Sequence, residues 1–185
     1  CTLYRTWQTP PTGSSDDAAL LVAATVLADG RGTRFDRHYY SKDWVLESEV
    51  DLWPSDFAGM FVASMTVEGR SLKAVDRLIE REVAGIVRSP PSEAELHRAK
   101  SRIRSWAQSA LDGPSSRAET LAGCLELHGT PDCVSEEWRA VEAVTSADVS
   151  GAMQRVLAGP SVRLSVVPAM ETDCALAGSV AVEVP

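Results

Sequence analysis

The sequence lacks the short motifs that identify several large enzyme classes. It has no Gly-x-Ser-x-Gly element for a hydrolase nucleophile, no Gly-x-x-x-x-Gly-Lys phosphate loop and no Gly-x-Gly-x-x-Gly dinucleotide motif. A Cys-x-x-Cys pair is also missing, and no apolar run approaches the roughly 18 residues that a membrane-spanning helix needs. Taken by its residues alone, the chain describes a catalytically silent domain without a membrane span.

Basic residues are few relative to acidic ones. The 185 residues include 18 Lys and Arg against 26 Asp and Glu, which gives a formal net charge of −8. Nonspecific nucleic-acid affinity requires clustered positive charge, so we expect no nucleic-acid partner. With 44% hydrophobic and 24% charged residues, the composition is typical of one soluble globular domain.

The four cysteines show no metal-binding spacing, and metal binding by sulfur is not expected. Cys124 and Cys133 are close enough in sequence to bridge across a helix end in an oxidising compartment. Independent buried thiols are the default expectation. Because the chain begins with Cys1 and a strand-like run follows directly, we expect it to be a piece of a longer protein.

Three histidines are spread along the chain, and none has a second ligand at a recognised spacing. His97 lies beside Arg98 and Lys100 on the polar face of a predicted helix, so we expect a solvated side chain. His128 precedes Gly129 and is well placed as a cation at a helix C-terminus. No metal site is therefore predicted in this chain.

Hydrophobic periodicity predicts a strand, a helix, a short helix, two strands, several helices and a final strand. The predicted elements are strands at 2–8, 46–52, 61–67 and 162–166; helices at 18–28, within 32–47, from 71 to before Pro90, from 92 to before Asp112, and at 116–127, 135–143 and 146–157; and at 180–184 a further strand or the start of a following segment. Side chains within 14–17 are predicted to cap the first long helix, and Ser92 with Glu95 forms a capping box. Because strands pair locally and helices are grouped, we expect an α+β fold with a mostly antiparallel sheet and helices on one face.

Four segments in register resemble the pitrilysin/insulinase family of zinc metallopeptidases. They are ATVLADGRGTRF at 24–35, PSEAELHRAK at 91–100, VTSADV at 144–149, with Thr145 or Ser146 as an N-cap, and VRLSVVP at 162–168. Their order matches the C-terminal, or inactive, domain of that family. The resemblance covers residues 1–168 and leaves 169–185 as a tail or the start of a following segment.

The resemblance implies one wall of a clamshell that encloses peptides. In such proteins zinc is bound by His-x-x-Glu-His in another domain, and that motif is absent here. We therefore expect no zinc in this chain, a zinc-bearing catalytic domain or subunit as partner, and a peptide as substrate. An inactive scaffold or assembly protein of the same fold is the alternative, and an unrelated α+β binding module is a third. A bacterial periplasmic or extracytoplasmic location is slightly favoured, because many relatives work there.

In active relatives, an arginine and a tyrosine seven residues later contact the substrate near the scissile bond. Aligned on Arg34 without gaps, these positions fall on Tyr40 and Glu47, and neither residue matches. An acid in place of the phenol would put negative charge beside the developing oxyanion, so we expect that the contact has been lost. If the alignment slips, Arg37 or Tyr39 could substitute. The substrate-facing candidates are Arg37, Tyr39, Tyr40 and Glu47, with both tyrosines either structural or lining the chamber.

Overall fold

The computed structural model describes residues 1–39, 42–169 and 172–182, and within them a four-stranded sheet packs against a layer of helices. The elements are β1 Thr2–Thr9, α1 Asp17–Ala28, α2 Arg34–Tyr39, β2 Val45–Trp53, β3 Gly59–Val67, α3 Leu72–Arg88, α4 Glu93–Ala110, α5 Pro114–His128, α6 Cys133–Ala143, α7 Ser146–Leu157 and β4 Ser161–Val166. Up to β4 this order is the one that periodicity predicts, and the α+β class is confirmed.

The sheet has the strand order β2-β3-β1-β4, and every neighbouring pair is antiparallel. Side chains alternate between the two faces of a strand. On one face Leu3 and Trp7 of β1 and Phe61 and Met65 of β3 are buried. The predicted packing of helices on one face is therefore confirmed.

Helix α1 lies in the middle of the helical layer, against β2, α4 and α7. It is apolar around most of its circumference, and Leu20, Val22, Val26 and Leu27 are almost completely buried. A helix that is hydrophobic on all sides must be enclosed by its neighbours. The apolar run of the sequence therefore forms the centre of the core.

Polar contacts attach the helices at defined points. The predicted capping box at the start of α4 is present, and a second one at the start of α7 uses Thr145. The prediction for α1 is wrong, because Asp16 makes no side-chain capping hydrogen bond. Its carboxylate instead accepts two hydrogen bonds from Arg155 of α7, at 2.8 and 2.6 Å. Asp16 thus joins the start of α1 to α7.

All four cysteines form disulfides, Cys1 with Cys174 and Cys124 with Cys133, in place of the independent thiols expected by default. The first bond holds the segment after β4 against the domain, and Leu176 packs on the core there. Residues 180–182 form no strand, and 183–185 lie outside the described ranges. No helix in the described part of the chain is long and apolar enough to cross a membrane.

Candidate functional site

Two glycines place α2 directly after α1. Gly30 and Gly32 have φ values of +86° and +77°, which side-chain-bearing residues rarely adopt, so the chain can turn sharply there. The Thr33 hydroxyl then accepts a hydrogen bond from the Asp36 backbone N–H at 3.3 Å. The Gly32 N–H also donates to the Asp36 carboxylate. The short helix therefore begins at a fixed position and angle.

A cleft of about 570 Å³ opens between α2, α3 and α4, and we call it the α2 cleft. Its charged lining residues are Arg34, Arg37, Arg81, Arg88, Glu82 and Glu95. Four arginines thus face two glutamates in a protein whose net charge is −8. Both glutamates are buried and ion-paired, so each organises the arginines around it.

Glu95 joins α4 to α2. Its carboxylate accepts two hydrogen bonds from Arg34, at 3.1 and 3.3 Å, and one from Arg37 at 2.7 Å. It also accepts one from the backbone N–H of Ser92, the N-cap residue of α4, at 2.9 Å. Burial by itself would raise the pKa of Glu95, but these hydrogen bonds and the Arg34 charge lower it to about 2. The buried carboxylate therefore remains ionised near neutral pH and fixes both arginines.

Glu82 fixes the other end of α2. It accepts a hydrogen bond from the Tyr39 hydroxyl at 3.0 Å, and His38 Nδ1 lies 3.0 Å from its second oxygen. Arg81 donates to the same hydroxyl at 2.8 Å. Burial, followed by the Glu82 charge, raises the pKa of Tyr39 to about 12. Tyr39 is consequently a neutral, fully engaged phenol.

A row of acids lies on β2, away from the α2 cleft. Glu47, Glu49 and Asp51 are exposed and occupy alternate positions on the sheet face opposite the helices. Partial burial, together with the neighbouring Glu47 and Asp51 charges, raises the pKa of Glu49. The pKa of Asp51 is raised by partial burial and by Asp29. This acidic row therefore favours a cationic neighbour.

Comparison with protein-family models matches residues 1–103, more than half of the chain, to the peptidase M16 inactive domain. The chain belongs to the peptidase M16 inactive-domain family. A comparison with curated protein sequences finds no match.

Solved structures share the fold of this M16 inactive domain. A protease from Helicobacter pylori has a TM-score of 0.79 and 13% identity, over 88% of this chain but 39% of its own. The inactive peptidase domain of a candidate zinc protease from Bordetella parapertussis has a TM-score of 0.75 and 19% identity, over 90% of each chain. The peptidase M16 inactive domain from Pseudomonas fluorescens has a TM-score of 0.73 and 17% identity, over 88% of this chain and 39% of its own. This chain thus spans well under half the length of two of these proteins.

Among the described residues, the M16 domain separates the predicted site residues Arg37 and Tyr39 on α2 from Glu47 on β2. Arg37 lines the α2 cleft with its side chain 52% exposed, whereas Glu47 lies on β2. Tyr39 is only 4% exposed and its hydroxyl donates a hydrogen bond to Glu82, and a substrate contact by this residue stays a prediction. Tyr40 lies outside the described residues. A peptide contact by Arg37 or Glu47 stays a prediction.

The residues present do not fit the catalytic zinc of the peptidases. Within the described ranges, one group of three potential ligands lies close together, and it consists of His128, Cys133 and Glu137. It contains a single histidine, and its sulfur belongs to a disulfide. The family's motif supplies two histidines from one helix. The sequence did not predict this group or the Glu95 network. A role at a helix end already accounted for His128, as a cation at a C-terminus, and for Glu95, as part of a capping box.

Proposed function

We propose that this M16 inactive domain forms a noncatalytic wall of a peptide-enclosing chamber, in which a different domain or subunit binds zinc and hydrolyses the peptide. The observation that carries the proposal is the sheet face that no helix covers in the described part of the chain. It has aliphatic side chains along one edge strand and acidic side chains along the other. Each edge suits a different neighbour.

The aliphatic edge belongs to β4. Val162, Leu164 and Val166 are 67, 53 and 50% exposed, and all three occupy alternate positions on the uncovered face. Full burial of such a side chain stabilises by about 1.5–3 kcal/mol, so covering three half-exposed ones contributes about 3 kcal/mol. A contiguous apolar row of this kind is typical of an interface with another domain. We assign it to the catalytic partner.

The acidic edge is the row on β2. Partial burial, and then repulsion by the charges of Glu47 and Asp51, raises the pKa of Glu49. No ion pair to Glu47, Glu49 or Asp51 occurs within the described residues. A positively charged peptide would relieve this repulsion, and complementary charge favours both encounter and selectivity. We therefore propose that the enclosed peptides are preferentially basic.

The test requires the zinc-bearing segment encoded in the same gene or in a neighbouring one, identified by His-x-x-Glu-His. Association with the wild-type domain should be compared with that of Leu164→Asp and of Leu125→Asp. Leu125 is a matched control, because it is 57% exposed but lies on α5 in the helical layer. Losing about 1.4 kcal/mol weakens binding about tenfold, so Leu164→Asp should weaken association at least that much and Leu125→Asp should not.

Cleavage of basic and acidic fluorogenic peptides by the same complexes supplies the second measurement. The wild-type complex should hydrolyse basic peptides faster, and Leu164→Asp should reduce both rates. Equal association of wild type and Leu164→Asp would overturn the assignment of the β4 surface. A stable, zinc-loaded complex that hydrolyses neither peptide would contradict the proposal and favour the alternative of an inactive scaffold protein.

A further inference from the structure

Helices α5 and α6 present two pairs of metal-ligating side chains to each other. Cys124 and His128 are four residues apart on α5, and Cys133 and Glu137 are four residues apart on α6. Side chains at this spacing lie on the same face of a helix. Gly129, with φ of +69°, ends α5 and allows the chain to enter α6 within four residues. The connection therefore directs both pairs toward one point.

The ligand atoms are already close. His128 Nε2 lies 3.2 Å from Glu137 Oε1, and Cys133 Sγ lies 3.5 Å from the same oxygen. The potential ligand atoms of these three residues all lie within 4.8 Å of one another, and Cys124 joins the group through its disulfide to Cys133. Tetrahedral zinc has bonds of about 2.0–2.3 Å and so separates its ligand atoms by about 3.3–3.8 Å. The two distances to Glu137 Oε1 are close to that range, and the two sulfurs can separate once their bond is reduced.

We propose that this group is a metal site controlled by thiol–disulfide exchange. The oxidised chain holds the Cys124–Cys133 bond. A dithiol reductant breaks that bond, gives two cysteine thiols and leaves as its own disulfide. One Zn²⁺ then displaces a proton from each thiol and is bound by the two thiolates, the His128 imidazole and the Glu137 carboxylate.

The donor set determines the class of metal. Two thiolates and an imidazole favour zinc and other soft or borderline cations over magnesium or calcium, which prefer oxygen ligands. The two cysteines are 3 and 4% exposed, whereas the side chains of His128 and Glu137 are 24 and 57% exposed. The sulfurs are thus shielded while the other two ligands face the solvent. A cation can therefore enter from the His128 side.

Disulfide and metal would serve the same structural purpose. Among the described side chains of α5, only Cys124 is buried, so these side chains make little apolar contact with the domain. The cross-link to α6 is accordingly a main attachment of α5. Under reducing conditions a bound metal would replace it, because ligands from both helices would meet at one ion.

Cobalt spectroscopy tests the site directly. The protein is reduced with a phosphine, which supplies no competing thiol. It is then titrated with Co²⁺, whose tetrahedral thiolate complexes absorb strongly in visible light. Zn²⁺ is added last to displace the bound Co²⁺. One equivalent should bind to the reduced protein and none to the oxidised one. Reduction also frees the thiols of Cys1 and Cys174, so the matched control is the double variant Cys1→Ser/Cys174→Ser, which should bind as wild type does.

Two further variants decide the ligands. Cys124→Ser/Cys133→Ser should lose the visible bands, and His128→Ala should weaken zinc binding by about tenfold or more. Equal binding by the Cys124→Ser/Cys133→Ser variant would overturn the proposal. Unchanged zinc binding by His128→Ala would show that the thiols capture the metal without the imidazole, and it would overturn the proposed ligand set. If Cys1→Ser/Cys174→Ser does not fold, the reduced wild type is compared with the reduced Cys124→Ser/Cys133→Ser variant instead. A reduced wild type that does not bind zinc, and whose melting temperature zinc does not raise, also overturns the proposal.

Discussion

Replacing Glu95 with glutamine should destabilise the domain by an amount that depends on pH. The variant keeps a side chain that can complete the capping box, but it leaves the buried Arg34 guanidinium without its anionic partner. The difference between the ordinary pKa of 4.5 and the value of about 2 corresponds to about 3 kcal/mol, at about 1.4 kcal/mol per pKa unit. The Glu95 side chain is 10% exposed, so solvent screens this interaction little.

The sign follows from the lowered pKa. The folded state favours the carboxylate, so the stabilisation is fully present above pH 4.5 and is lost as the pH falls toward 2. Urea unfolding should therefore show wild type more stable than Glu95→Gln by about 3 kcal/mol at pH 7 and by about half of that near pH 3.

The matched control is Glu93→Gln, in the same first turn of α4 but exposed, which should change stability by less than about 1 kcal/mol. A difference between wild type and Glu95→Gln that stays constant from pH 7 to pH 3 would refute the linkage argument. A difference below about 1 kcal/mol at pH 7 would show that the ion pairs do not hold α2 on α4.

Two other contacts give separate predictions. Tyr39→Phe removes a hydroxyl that is hydrogen-bonded to Glu82 and Arg81, and it should lower the free energy of unfolding in urea by about 2 kcal/mol at pH 7. Because the pKa of Tyr39 is raised to about 12, the stabilisation by this hydroxyl should decline only as the pH rises from 10 toward 12. Cys174→Ser opens a cross-link between residues 173 positions apart and should lower stability by about 5 kcal/mol under non-reducing conditions; identical unfolding curves for wild type and variant would contradict the entropic argument.

Sequence patterns predicted the elements well where one physical signal was sufficient. The alternation in β2 and β3 required one buried face, and the serine and glutamate at the start of α4 satisfied each other's backbone donors. The prediction that side chains within 14–17 cap α1 failed at the N-cap residue Asp16, because a capping oxygen and an ion-pair partner have the same chemistry. Only the position of Arg155, 139 residues away, decides between them. Local sequence carries no information about that distance.

The site was predicted less completely. The glycine pair located α2, which forms the short helix predicted within 32–47. Which side of α2 is buried depends on Glu82 and Glu95, which come from two later helices. The burial of Tyr39 and its hydrogen bond to Glu82 could therefore not be predicted from the residues around it. The cluster around His128 was missed for a similar reason, since its residues follow no spacing that is specific to metal sites.

The bond between Cys1 and Cys174 also has a mechanical consequence. A pulling force applied at these two points would be carried by the covalent link, and the hydrogen bonds between β1 and β4 would bear almost none of it. In a force-extension experiment the oxidised domain should therefore behave as a stiff, short element. After reduction the same load would fall on the sheet, and the domain would lengthen as its strands separate.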